Sequence, residues 1–250
     1  VGAVGMVVLG TVDDLRPFGA APKLALQAAV AAATVGLGLR LELFGVPGID
    51  AAATGLLIVT YVNAVNFTDV CDGLVGALSA VALAGFFLVG PLHPPVAAVG
   101  AAACAGFLVF NWSPASIYLG DAGSHLLGFL LAALTVTAVA EAGTGADRIA
   151  PVLLSGVFLF ELLFITAVRI RKGLPFWRGS PDHFSLRMQA GPFSRVQTVL
   201  LACGVGLILV GGAWVASNTA AVLGVCAGLL VLFAAISRGA QELALASQAA

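Results

Sequence analysis

Charge is what this 250-residue chain has least of. Only 9% of its residues are Asp, Glu, Lys or Arg, against 60% hydrophobic, and its mean hydropathy is +1.09. A soluble domain carries roughly 25% charged residues, so this chain cannot cover itself with polar surface and reads as an integral membrane protein. Cysteine is scarce as well. Cys71, Cys104, Cys203 and Cys226 are scattered, mostly in apolar runs, without zinc or CxxC spacing, which leaves them as small packing residues. Period-two alternation is missing, which excludes a spanning β-barrel. A basic start and a small-residue cleavage site are missing too, which excludes a signal peptide. The first apolar run, VGAVGMVVLG, begins with Val1 rather than Met and falls short of the about 20 residues a spanning helix needs. Further N-terminal helices are therefore expected to precede it. No internal repeat and no soluble second domain is visible, so residues 1–250 are read as a single integral membrane domain. No nucleic-acid partner is expected.

What the chain has in abundance is long apolar segments and glycine, 31 of them, a residue that lets membrane helices approach closely. After the stub Val1–Val12 come Leu24–Leu39, Ala51–Phe67, Gly73–Gly90, Val96–Phe110, Ala122–Ala140, Ile149–Ile170, Val196–Ala216 and Thr219–Ser237. In lipid only helices or closed barrels satisfy the backbone. The expected fold is thus an all-α polytopic transmembrane bundle with about eight full spans plus a truncated first one. Alternating the loops sorts the basic residues. Arg16, Lys23, Arg169, Arg171, Lys172, Arg178, Arg187, Arg195 and Arg238 fall on one side and Arg40 and Arg148 on the other, accounting for all 11. The first side is expected to be cytoplasmic. His93, beside Pro94, falls on the opposite face.

Five of the 12 acidic residues lie in three short motifs, GTVDD, NFTDVCDG and LGDAGS. A charge at the bilayer centre costs about 2.5–3.5 kcal/mol on insertion scales, so such residues are functional candidates. The loop parity brings all three motifs to the basic side, together with the loop 171–195 and its His183. Carboxylates and amide oxygens are hard donors suited to Mg²⁺, with Mn²⁺ also acceptable. Asp121, between glycines and followed by Ser124 at a helix start, suits a metal-phosphate site, or else caps that helix. Asp13 and Asp14 are neighbours and point about 100° apart on a helix, so they take different roles, or else they form a solvated helix end. Two near carboxylates raise one pKa, which suits a proton acceptor. Asn63, Asn66, Asp69 and Asp72 recur every three residues and share a face if the helix continues; Gly73 and its neighbours can instead break it into a cavity-lining loop. An inter-helix hydrogen-bond network is the alternative. The loop 171–195, RKGLPFWRGSPDHFSLRMQAGPFSR, is basic and suits a diphosphate, with His183 as a donor, or is an ordinary cytoplasmic loop. His125 is either core or support for Asp121. Together these features suggest phosphoryl transfer at a membrane face, where catalysis is mostly positioning and charge neutralisation.

The stretches GTVDDLRPFGAAPKLALQ, NAVNFTDVCDGL, FNWSPASIYLGDAGSHLLG and GSPDHFSLR resemble, in order, those of the polyprenyl-phosphate N-acetylhexosamine-1-phosphate transferases, the glycosyltransferase 4 group. That group includes phospho-MurNAc-pentapeptide translocase and GlcNAc-1-phosphate transferases. The resemblance implies attack of polyprenyl (undecaprenyl) phosphate on the β-phosphorus of a UDP-N-acetylhexosamine, releasing UMP, with Mg²⁺ required. It implies the first membrane step of cell-envelope polysaccharide synthesis, in the bacterial cytoplasmic (inner) membrane, with the site facing the cytoplasm. By the same resemblance Asp121 is the magnesium ligand and Asp13 or Asp14 handles the lipid phosphate. Asn66, Asp69 and Asp72 shape the nucleotide and diphosphate pocket, with Asp72 near the uracil. Tyr118 stacks on the base, His183 meets the diphosphate and Lys23 meets a phosphate. Val70 departs from the family's usual glycine, and the loop has one histidine where many relatives have two or three. The lack of adjacent histidines favours a GlcNAc-type donor over the MurNAc-pentapeptide. A homodimer is left open. A cation-coupled transporter is the competing class, although transporters place their acids near the midplane and often show inverted repeats; a catalytically inactive scaffold is the third reading.

Overall fold

The computed structural model describes the chain except for residues 91–93, 144, 145, 176, 178, 216–218 and 250; for residues 146, 219–223, 225, 226, 230 and 243–249 only the backbone is described. His93, Arg178 and the side chain of Cys226 therefore lie outside the described residues. Among those described, every regular element is a helix, in the order α1 (Gly2–Leu15), α2 (Ala20–Gly36), α3 (Pro47–Thr68), α4 (Leu74–Val89), α5 (Pro95–Asn111), α6 (Gly120–Glu141), α7 (Ala146–Leu153), α8 (Gly156–Arg171), α9 (Phe184–Ala190), α10 (Arg195–Trp214) and α11 (Thr219–Ala249). A helix thus stands at each apolar segment of the sequence. Three of them, α3, α6 and α10, are each long and apolar enough to cross a bilayer, while α4 and α5 are apolar but shorter.

Local chemistry sets the helix ends. Pro47 and Pro95 stand in the first turns of α3 and α5, where a missing N–H costs nothing. Ser194 opens α10 with a capping box: its hydroxyl accepts from Gln197 N at 3.2 Å and Gln197 Oε1 accepts from Ser194 N at 2.9 Å. The segment 149–170, expected as one span, is instead two helices, α7 and α8, bent by 70°. Pro151 lies inside α7 and the pair Ser155–Gly156 sits at the break; proline and Gly/Ser pairs are the usual causes of sharp kinks.

The core is built around α6, which packs between α1 and α3. Small residues permit that approach. A Cβ on Gly10 of α1 would meet the Ala122 Cα of α6 at 2.5 Å, and one on Gly128 of α6 would meet the Val62 Cα of α3 at 2.5 Å. These contacts bring the C-terminal end of α1, the start of α2, the C-terminal end of α3 and the start of α6 to one end of the bundle. The acidic motifs gather there for this reason.

Candidate active site

Asp121 and Lys23 are the centre of that end. The Lys23 ammonium lies 2.7 Å from Asp121 Oδ2 and 2.7 Å from Asp13 Oδ2, bridging two carboxylates. Asp13 is buried and also accepts from Phe18 N through Oδ1 at 2.5 Å. Asn66 Nδ2 donates to Asp121 Oδ1 at 2.5 Å and to Ser124 Oγ at 3.1 Å. Both hydrogens of that amide are thereby used, which leaves its carbonyl oxygen free of them, and Asn66 lines a cavity with Asp13, Asp14, Lys23, Asp69 and Asp121.

Asp14 does something else. Its Oδ1 accepts from Asp121 N at 2.8 Å and its Oδ2 from Ala122 N at 3.1 Å. A carboxylate at the C-terminal end of α1 thus caps α6 and meets its positive dipole end. The cap that sequence alone offers to Asp121 is supplied by Asp14, which frees the Asp121 carboxylate for Lys23 and Asn66. Gly120 has φ +65°, and a Cβ there would come within 2.9 Å of Asp14 Oδ2. The two adjacent aspartates do diverge, one to a cation and one to backbone amides.

Helix α3 ends at Thr68, so the three-residue spacing splits. Asn63 and Asn66 remain on one helical face, whereas Asp69 and Asp72 sit in a turn that Gly73, at φ +78°, converts into the start of α4. Asp69 joins the Asp121 cavity. Burial first, then the charges of Asp121 and Asp14, push its carboxyl up to about 6. That is the behaviour of a buried carboxylate with other negative charges near it. Asp72 faces away to a second subsite, where its Oδ2 accepts from Arg195 Nη1 at 3.0 Å and from Ala115 N at 3.4 Å. Buried Asn111 ties the same turn to the 112–119 loop, accepting from Gly73 N at 3.0 Å and donating to Ile117 O at 2.9 Å. Tyr118 lies on that loop, 76% exposed.

Beneath Asp121 runs a buried polar layer. Gln27 Nε2 lies 3.0 Å from His125 Nε2, an amide donor that makes this ring nitrogen the acceptor, and Gln27 Oε1 accepts from Asn63 Nδ2 at 2.7 Å. Ser124 Oγ, 3.5 Å from His125 Nδ1, donates to Asp121 O at 3.2 Å. His125 therefore supports the site from below. His183 belongs to another cluster, with Nδ1 2.5 Å from the buried Glu161 of α8. Next to it Asp182 accepts from Lys172 and Arg187, and these cations hold its carboxyl below the usual range against the opposing effect of burial. Glu161 lies in none of the motif stretches, and its one legible clue is that it is a lone acid within the apolar run GVFLFELLF; Gln27 and Arg195 stand at the ends of the stretches GTVDDLRPFGAAPKLALQ and 171–195, where spacing gives neither a role.

The polar cavity of about 500 Å³ opens through shared Phe18, Lys23 and Asn66 into a cleft of about 370 Å³ that also takes in Leu162 and Trp177. Through Leu24 and Val59 that cleft continues into an apolar groove of about 520 Å³ between α2 and α3, lined by Ala28, Ala31, Ala32, Val35 and Gly55 among others. A charged head site thus leads into a greasy trough. Among the described residues no three His, Cys, Asp or Glu side chains close around one point as a metal cage. The available donors are Asp121, Asp69 and the Asn66 carbonyl oxygen, an open set of hard oxygens.

The model of the family described as glycosyl transferase family 4 matches residues 1–139. The chain is 30% identical to the "Probable undecaprenyl-phosphate N-acetylglucosaminyl 1-phosphate transferase" of Bacillus subtilis, with 83% of this chain and 62% of that protein aligned. It is 33% identical to the "Decaprenyl-phosphate N-acetylglucosaminephosphotransferase" of Mycobacterium tuberculosis over 95% of this chain and 69% of the relative. The "Phospho-N-acetylmuramoyl-pentapeptide-transferase" of Mycobacteroides abscessus is 32% identical over 65% of this chain and 52% of its own length. The chain thus spans less than two thirds of the first of these relatives.

Proposed function

This chain belongs to glycosyl transferase family 4, and on that footing we propose that it transfers N-acetylglucosamine 1-phosphate from UDP-N-acetylglucosamine to a polyprenyl phosphate at the cytoplasmic face of a bacterial inner membrane. An oxygen of the lipid phosphate attacks the sugar-bearing phosphorus of the donor. The bond to the bridging oxygen breaks, and UMP leaves with that oxygen. The observation that carries this reading is the union of the Asp13–Lys23–Asp121–Asn66 cluster with the apolar groove between α2 and α3. A phosphorylated polyprenol needs both, a cation for its head and a trough for its tail.

Lys23 and Asp13 are assigned to the lipid phosphate. With Asp14 committed to the α6 amides, Asp13 is the member of the pair left to orient Lys23 toward the incoming anion. Asp72, Arg195 and Tyr118 form the nucleotide end. His183 is assigned to the diphosphate. Asp121, Asp69 and the Asn66 carbonyl oxygen would hold Mg²⁺, which typically takes one or two protein carboxylates and completes its shell with water and phosphate oxygens. Bound there, the ion supplies neutralisation of charge on the transferring phosphate. The resident ammonium between Asp13 and Asp121 supports a site that favours cations.

UMP release by the full-length protein in detergent tests the proposal, with undecaprenyl phosphate, Mg²⁺, and UDP-GlcNAc or UDP-MurNAc-pentapeptide in separate reactions. Lipid-dependent release with UDP-GlcNAc is expected. Release with the pentapeptide donor alone would reassign the sugar. No release with either would call for other UDP-sugars, and failure with those too would remove the transferase reading in favour of an ion-coupled transporter or scaffold.

A further inference from the structure

Glu161 is the acid of α8, and it sits among aromatic rings. Phe160 and Phe164 stack at 5.4 Å, and Phe184 and Phe233 meet at 4.7 Å beside them. The residue is 1% exposed. An unpaired carboxylate in such surroundings costs several kcal/mol, so what it holds accounts for its presence. One oxygen lies 2.5 Å from His183 Nδ1 and the other accepts from Phe184 N at 3.3 Å. On the other side of His183, buried Asp182 is fastened by Lys172 at 2.7 Å and Arg187 at 2.8 Å. The loop is thus pinned immediately before and after the histidine. Leu162, the next residue after Glu161, lines the cleft shared with Asn66 and Lys23.

With Nδ1 taken, Nε2 is the nitrogen left to meet a ligand. We infer that Glu161 is a positioning residue of the transfer reaction: it holds a proton on His183 Nδ1 and so presents Nε2 to the diphosphate of the nucleotide-sugar donor. To donate from Nε2 to a phosphate oxygen while Nδ1–H stays on Glu161, the ring takes up one further proton from solvent as the donor binds, which makes the bond charge-assisted and of the stronger kind. This inference rests on the proposed reaction for its substrate, but the pairing itself does not.

Glu161→Gln separates positioning from mere docking of α9 on α8. Phe184 N–H requires an oxygen, so the glutamine amide must turn its NH₂ toward His183 and make Nδ1 an acceptor. The variant keeps size and packing but reverses the proton on the ring. ¹⁵N-histidine labelling of the full-length protein in detergent, with His183→Ala to assign the signal, reads the tautomer directly. A proton on Nδ1 in the wild type, its loss in E161Q, and a shift of the His183 signal on adding UDP-GlcNAc with Mg²⁺ are expected. In turnover, E161Q raises the donor KM about 10–100-fold, the range for lost orienting partners, and leaves the lipid KM unchanged. Adding E161Q to His183→Ala costs nothing more.

A bare Nδ1 in the wild type overturns the pairing whatever the reaction is. An unchanged donor KM in E161Q, or a further loss in the double variant, overturns the positioning role. Should E161Q not fold, the wild-type tautomer and its response to the donor decide alone: a His183 signal indifferent to bound UDP-GlcNAc overturns the inference. Absence of UMP release from the wild type, by contrast, overturns the reaction and leaves the tautomer to judge the pairing.

Discussion

Lys23 carries the charge balance of the site, because one ammonium 2.7 Å from each of two carboxylates allows Asp13 and Asp121 to stand together. Asp121 is the more exposed of those carboxylates and faces the cavity. Asp121→Asn keeps the Asn66 contact but removes the charge, and UMP release is expected to fall below detection; near-normal turnover with Mg²⁺ would refute a metal role for this residue. Asp69 makes a prediction of opposite sign from the usual carboxylate. Its folded value of about 6 lies above the ordinary 3.8, so the folded chain binds the proton more tightly than the unfolded one. Its contribution to stability is full below 3.8 and is lost as pH rises to about 6. Metal-free protein is therefore expected to melt progressively lower across that window, and Asp69→Asn to lack this part of the slope. Parallel slopes for the two proteins would dispose of the shift. Asp69 and Asp72 also show what spacing conceals. They share a face only on a continuous helix, and the end of α3 at Thr68 sends one to the Asp121 cavity and the other to Arg195.

At the scale of elements, the site depends on how closely α6 lies against α1 and α3. Gly128 tests the α3 side of that approach, since a Cβ there meets backbone of α3 rather than a movable side chain. Gly128→Val is expected to destabilise the protein by about 1–3 kcal/mol or more, the usual cost of overpacking, and to cut turnover by parting Asn66 from Asp121. Gly106→Ala, on α5 and away from the groove, meets nothing within 4 Å and serves as the control. Chemical denaturation in detergent with UMP release checks both; equal behaviour of the two variants would contradict the close approach. The apolar segments that became these helices are legible as hydropathy. The break at 154–155 is not, since Pro151 and the Ser155–Gly156 pair mark it only when their positions within one apolar run are weighed. The capping of α6 by Asp14 was equally hidden, because the carboxylate comes from 107 residues away.

Taken whole, the molecule is a bundle with its polar chemistry at one end. The ends that carry Asp13, Lys23, Asp69, Asp121 and His183 are the ones to which the alternation of loops assigns nine of the 11 basic residues. Sealed inside-out membrane vesicles are therefore expected to release UMP from externally added UDP-GlcNAc, and right-side-out vesicles only after permeabilisation. The reverse pattern would invert the orientation.

By itself the amino-acid sequence determined that this chain lives in a membrane, where its helical segments run, and that five acids mark their ends. Those are properties of composition and of local windows, and hydropathy accumulates along the chain without reference to distant residues. Tertiary structure alone decided which partner each polar group took. Lys23 reaches Asp121 across 98 residues, Asp14 rather than Asp121 caps α6, His125 supports rather than lines the cavity, and Glu161 receives His183. Each follows from how distant helices pack, and a carboxylate's partner depends on what lies within about 3 Å in space, which no local window of sequence contains.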